Sequence, residues 1–244
     1  MGDSIESFQP DACPLLAIED LSKGFTLHTA DRRVRGCEHI SLSVLPGEFV
    51  GVTGRSGSGK STILKCIYRT NLPESGHIVY DSEAFGPVDL AMLDERRVIY
   101  LRNYEIGYVS QFLDAVPRTT AREIVRASAA EAFADEDAIE EETTRMLEHF
   151  DFPKPLWDLY PNTFSGGEKL RLNIARAMVR RPRLLLLDEP TASLDNASKV
   201  RVRDLIEQLK AGGTTMLGIF HDLEFMEGVC DREYNMQIGG FVQA

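Results

Sequence analysis

The chain has 244 residues, 43% of them hydrophobic and 27% charged, with a formal charge of −11, enough chain for a full globular core. The acidic balance excludes broad nucleic-acid binding, which needs a basic face. The widely spaced Cys13, Cys37, Cys66 and Cys230, with no CxxC pair, predict reduced thiols of a cytoplasmic protein, not a disulfide framework or zinc site.

Residues 1–14 are polar and acidic, unlike a signal peptide, and are expected to form a flexible tail before one domain spanning 15–244. No apolar run approaches the ~20 residues that span a bilayer, so any membrane part is expected from another chain. Leu16 and Ile18 predict a first strand, and the following Ser22-Lys-Gly-Phe25 can turn an aromatic face outward. Ile40, Leu42 and Val44 alternate with serines, as in a half-buried strand, and Pro46-Gly47 turns the chain. Glu48 to Thr53 is apolar enough for a strand buried on both faces, and Ile63, Leu64 and Ile67 sit at helical spacing. His77–Tyr80 is a further strand, followed over 81–104 by a polar connection with one helical piece around Asp94 to Tyr100. Glu105 to Gln111 is a strand ending in glutamine. Thr120 and Glu123 form a capping-box pattern. Glu131 to Glu142 carries seven acidic residues in twelve, taken as a solvated helical face. Pro153, Pro155 and Pro161 frame a loop holding Trp157. Ser165 and Glu168 repeat the capping-box spacing ahead of a helix running to about Arg180, along which Lys169, Arg171, Arg176, Arg180, Arg181 and Arg183 leave a local basic patch open. Leu184–Leu187 is a buried strand ended by Asp188 and Glu189. Val200–Leu209 is helical by pattern, and Thr214–Phe220 is a strand ended by His221. This alternation predicts an α/β fold with a mainly parallel sheet, an antiparallel β edge and a helical insertion over about 112–165.

The stretch Gly54 to Thr62, GRSGSGKST, lies between a predicted strand and helix, the context that a phosphate-binding loop requires. Gly54, Gly57 and Gly59 let backbone N–H groups converge on phosphate oxygens, with Ser56, Ser58 and Thr62 in the same cradle. The helix starting near Lys60 adds a positive N-terminus. Lys60 is placed for the β- and γ-phosphates and Ser61 for Mg²⁺. ATP with Mg²⁺ is the expected ligand pair.

GRSGSGKST, Gln111, FSGGE (164–168), LLLLDEP (184–190), SLD (193–195) and His221 stand in the order of the ABC-type ATPases, which the chain resembles from Leu16 to Val242. The resemblance implies that Asp188 holds Mg²⁺ and that Glu189 is the general base for an attacking water. It implies that Gln111 senses metal and nucleophile, that His221 orders the γ-phosphate and that Asp195 links two sites. Phe25 resembles the aromatic that stacks on adenine, with core packing as the equal alternative. A head-to-tail dimer is implied, a homodimer or a pair with another ABC subunit, in which Ser165, Gly166 and Gly167 face the nucleotide held by Lys60 of the other subunit. Two residues depart from the family pattern. Phe164 replaces a leucine, and Glu168 replaces a glutamine, placing a carboxylate near polyphosphate. Turned inward to cap its own helix, Glu168 costs little; turned outward, it weakens ATP-driven closure.

A narrower resemblance is to the PhnL-type subunit of the bacterial carbon–phosphorus lyase system. It is carried by Gly107–Leu113, Val116-Pro-Arg118, Leu156-Trp157, Pro161–Gly167 and Gly218–Asp222. It implies phosphonate catabolism, soluble lyase subunits as partners and coupling of phosphonate to the ribose of ATP. The alternative is the nucleotide-binding subunit of a lipoprotein-export type transporter, whose partner is an integral membrane subunit docked on the 112–165 region. On either reading Phe112 and Trp157 are expected to contact the partner.

Overall fold

The computed structural model describes residues 13–27, 32–110, 118–191, 194, 196–220 and 223–242. Its centre is a six-stranded sheet whose middle strands are fully buried. These are β3 (Phe49–Thr53), β7 (Leu184–Asp188) and β8 (Thr215–Ile219) of the ten strands among the described residues. The strand order is β10-β9-β3-β8-β7-β6, with β6 at Ile106–Val109, β9 at Arg232–Asn235 and β10 at Gly240–Val242. All pairs are parallel except β9 with β10. The leucine strand shows why: Leu184 and Leu186 face one core, and Leu185 and Leu187 the other. A strand covered on both faces has no polar side to alternate.

One of those cores lies under a four-stranded antiparallel sheet of order β2-β1-β4-β5: β1 (Leu16–Leu27), β2 (Arg32–Val44), β4 (Ser75–Ser82) and β5 (Gly86–Asp89). Between this sheet and the central one sits α1 (Lys60–Ile67), which buries Ile63, Leu64, Cys66 and Ile67. The other core is covered by α3 (Ala121–Ala132), α5 (Gly166–Met178) and α6 (Asn196–Ala211), with α4 (Glu136–His149) against α3. A further helix, α2 (Glu95–Tyr104), precedes β6, and the four-residue α7 (Leu223–Met226) follows β8. The parallel sheet with an antiparallel β edge is the expected fold class.

Several expectations need correction. Residues 81–104 hold β5 as well as a helix, and β9 and β10 were not anticipated. The acidic run is not one solvated face: α3 ends at Ala132, Asp135 caps α4 through the Ala138 N–H at 3.0 Å, and Glu142 is buried. The Arg145 guanidinium, 2.7 Å from Glu142 Oε2, holds that carboxyl below its usual range. The basic patch is largely consumed internally. Arg180 pairs with Glu131, Arg183 donates to the Asp81 carbonyl at 2.6 Å, and Arg171 donates to the Asp151 carbonyl at 2.6 Å. Trp157 is a core residue, not a contact surface: it is 6% exposed, its indole N–H donates to the Phe152 carbonyl at 2.9 Å, and Arg122 stacks 4.9 Å above its ring. The tail expected over 1–14 falls mostly outside the described residues.

Candidate functional site

The strand β3 delivers the chain into the loop 54–59, and α1 leaves it. Gly59 sits at φ 91°, and a Cβ there would stand 1.7 Å from the Gly36 carbonyl oxygen. Only glycine permits that approach of the loop to β2. Gly57 also has a positive φ, 78°, and nothing lies within 4 Å of where its Cβ would be. The loop thus presents bare backbone on its outer side. Ser56 is exposed, and Ser58 Oγ is buried with no partner among the described residues. A buried hydroxyl without a partner is costly, and an anion cradled by the loop would supply an acceptor. Gln237, from the turn between β9 and β10, shares this mouth with residues 55–58. Nothing in its sequence context marked it.

Lys60 is 4% exposed and donates to the carbonyls of Gly54 at 2.8 Å and Arg55 at 3.1 Å, so its ammonium lies beneath the loop. Burial pushes its pKa below the ordinary value, against the opposing pull of Glu189 and Asp188. One residue along α1, the Ser61 hydroxyl donates to Asp188 Oδ1 at 2.8 Å. Two hard oxygen donors from α1 and the end of β7 therefore converge, the donor chemistry that Mg²⁺ takes. Thr62 is half-buried beside them. Glu189 follows at φ 52°, a left-handed conformation that a non-glycine residue holds at a cost of about 1–3 kcal/mol. Its N–H donates to the Ile219 carbonyl at 3.1 Å. Tyr108 was missed as a site residue: its hydroxyl donates to Asp188 Oδ2 at 2.6 Å. A tyrosine on a buried strand needs a partner for its hydroxyl, which was the available signal.

Phe25 is 37% exposed, and its ring edge and the Thr62 methyl both approach the place a Gly36 Cβ would take, at 2.9 and 3.2 Å. The ring therefore stands beside the phosphate loop's helix, partly open to solvent, with the Lys23 ammonium 5.4 Å from its centroid.

The second loop, 164–168, is built differently. Ser165 and Glu168 form the capping box at the start of α5: the Ser165 N–H donates to Glu168 Oε2 at 2.7 Å, and the Glu168 N–H to Ser165 Oγ at 3.3 Å. The carboxylate is turned onto its own helix, the first of the two alternatives for Glu168. Ser165 and Gly166 are exposed, while Gly167 is buried. Phe164 is buried with its ring 5.5 Å from that of Phe152. Gln111, Asp195 and His221 lie outside the described residues.

A cleft of about 450 Å³ opens between α2, β6, α3 and α5, with Tyr68, Ile99, Tyr104, Tyr108, Ile124 and Arg176 among its walls. Beside it Phe85 packs edge-on against Tyr100 at 5.1 Å, Tyr100 packs tilted against Tyr104 at 4.7 Å, and all three are exposed. Among the described residues no helix is long and apolar enough to cross a membrane.

The pattern of the ABC transporter family matches residues 37–192. A methionine import ATP-binding protein of Cupriavidus metallidurans is 32% identical over 231 residues, 94% of this chain and 64% of that protein. The chain thus spans somewhat less than two thirds of that relative's length. A putative peptide import ATP-binding protein of Brucella ovis is 31% identical over 234 residues, 94% of this chain and 71% of that protein. Among solved structures, the dimeric ATP-binding cassette MJ0796, in a post-hydrolysis state bound to ADP and Pi, superposes with a TM-score of 0.81 at 25% identity, covering 90% of this chain and 93% of that one. With a phosphate loop, a buried lysine and a serine–aspartate pair that fit ATP and Mg²⁺, the chain belongs to the ABC transporter family, as one of its ATP-binding domains.

Proposed function

We propose that this chain is the ATP-hydrolysing, nucleotide-binding subunit of a membrane transporter, working at the cytoplasmic face as a head-to-tail pair. The observation that carries the reading is the convergence of Lys60, Ser61 and Asp188 beneath the glycine loop. The extent of the match to import ATP-binding proteins, 94% of the chain, supports the transporter part. The geometry of the described residues supports the following roles. The loop N–H groups from Gly54 to Gly59 and the start of α1 bind phosphate oxygens, and Phe25 offers its partly exposed ring to adenine. Ser61 and Asp188 hold Mg²⁺, which neutralises charge on the phosphates when bound. Asp188 serves the metal, and Glu189, the next residue past the end of β7, takes the family pattern's role of accepting a proton from water. Ser165, Gly166 and Gly167 present a second helix N-terminus to the nucleotide of the other subunit, and Gln111, Asp195 and His221 take the roles that the family pattern gives them.

The cleft beside Phe85, Tyr100 and Tyr104 is where we place the membrane subunit, since exposed aromatic clusters next to a concavity suit a protein partner. The narrower carbon–phosphorus lyase reading, with phosphonate ribosylation and soluble partners, rests on short sequence matches; the import relatives favour the transporter. Affinity purification of the tagged chain from detergent-solubilised membranes tests this choice. An integral membrane subunit retained with the chain, stimulating a Lys60-dependent ATPase, is the expected result. A soluble multi-subunit complex, with Lys60- and Glu189-dependent growth on a phosphonate as sole phosphorus source, would overturn it.

A further inference from the structure

Asp188 is gripped at both oxygens. The Ser61 hydroxyl holds Oδ1 at 2.8 Å, and the Tyr108 hydroxyl holds Oδ2 at 2.6 Å. Tyr108 comes from the neighbouring strand, where β6 pairs in parallel with β7 and Tyr108 stands opposite Leu186. Its ring is fixed by packing: Tyr68 lies 5.0 Å away by ring centroid, and the Arg102 guanidinium lies over the Tyr68 ring, 4.8 Å from its centroid. Arg102 is itself anchored by donating from Nε to the Tyr68 carbonyl at 2.7 Å. A phenol keeps its proton at neutral pH and so donates this hydrogen bond to the carboxylate.

A carboxylate rotates readily about its Cβ–Cγ bond, and an aspartate serving a metal must be stopped from doing so. With Oδ2 bound to a phenol on a rigid strand, rotation breaks a short charge-assisted hydrogen bond. Oδ1 is then kept facing the Ser61 hydroxyl. Each carboxylate oxygen retains a further lone pair, so the two hydroxyls leave acceptor capacity on Asp188. We propose that Tyr108 is a positioning residue of the metal site: its hydroxyl sets the rotation of the Asp188 carboxylate so that Asp188 and Ser61 present their oxygens to one Mg²⁺. The proposal rests on the reading of this loop as a MgATP site.

The test is Tyr108→Phe, which removes the hydroxyl and keeps the ring on Tyr68. Binding of a fluorescent ATP analogue is followed in EDTA and across a Mg²⁺ titration, and Mn²⁺ bound with ATP is observed by electron paramagnetic resonance. The expected result is a Mg²⁺ midpoint raised by about tenfold, the scale on which second-layer partners of metal ligands act. Nucleotide affinity in EDTA stays unchanged, and the Mn²⁺ spectrum is altered. In an Asp188→Ala background, Tyr108→Phe has no further effect on the metal dependence. An unchanged Mg²⁺ midpoint, or an equal loss of nucleotide affinity with and without metal, overturns the assignment to Tyr108 and leaves the MgATP reading standing. A wild-type protein with no Mg²⁺ dependence at all overturns both.

Discussion

The phosphate loop and the 164–168 loop both end in a helix N-terminus, yet they are held in opposite ways. Around the first, ties cross long stretches of sequence: Ser61 reaches Asp188 and Tyr108 reaches the same carboxylate. Lys60 lies buried beneath its own loop. Around the second, the ties span three residues, within the Ser165–Glu168 capping box, and the residues facing outward are exposed. Buried, cross-linked groups pre-organise a charge site. A self-capped, exposed helix start has its own carboxylate engaged and its face open to a second molecule. One chain thus carries a built half and an open half.

The comparison is broken most severely at the built half. Glu189→Gln is expected to lower ATP hydrolysis by about 10²–10⁴-fold, the range of a general base. It should keep MgATP binding, in contrast to Asp188→Asn, which loses the Mg²⁺ dependence of binding. Equal behaviour of the two variants in nucleotide binding would undo the division of roles. Trp157→Ala attacks the base of the open half, since Trp157 bonds to Phe152 and Phe152 packs on Phe164. A loss of about 3–5 kcal/mol in urea unfolding is expected, the cost of truncating a buried aromatic; a loss of partner binding with unchanged stability would restore Trp157 to the surface. Lys60→Ala should weaken MgATP by about 100-fold, the scale of a charge-assisted bond in a buried site, as read by calorimetric titration. Ser165→Ala is the mildest, removing one cap acceptor for about 1 kcal/mol of stability, with nucleotide binding by the isolated chain unaffected.

What was legible in the sequence follows the same division. Both capping boxes, at Thr120 and Ser165, could be read because the partners lie within one turn. The buried β3, β7 and β8 were visible as apolar runs, and the glycine loop by its spacing. The contact of Ser61 with Asp188 spans 127 positions; only family likeness pointed to it. Tyr108 escaped because its function depends on strand register, which one sequence does not state. The strand β5, with the sequence GPVD, and β9, with REYN, were hidden by glycine, proline and polar residues; their pairing with β4 and β3, not their propensity, makes them strands. Trp157 was expected at a partner surface from the Leu156-Trp157 match and its place in the helical insertion; it is instead buried, with Arg122 of α3 over its ring and the Phe152 carbonyl on its indole N–H, packing that the sequence pattern does not state.

The central claim, that the open half completes the built half of another copy, is tested by mixing two inactive variants. Lys60→Ala spoils the built half, and Ser165→Glu places a negative charge where phosphate would meet the open half. Each alone should have little ATPase activity. In a mixture, the Lys60→Ala chain lends its intact 164–168 loop to the intact phosphate loop of the Ser165→Glu chain, and activity per mixed dimer should return to about half that of the wild type if the two sites act independently. A mixture no more active than its separate components would contradict the account.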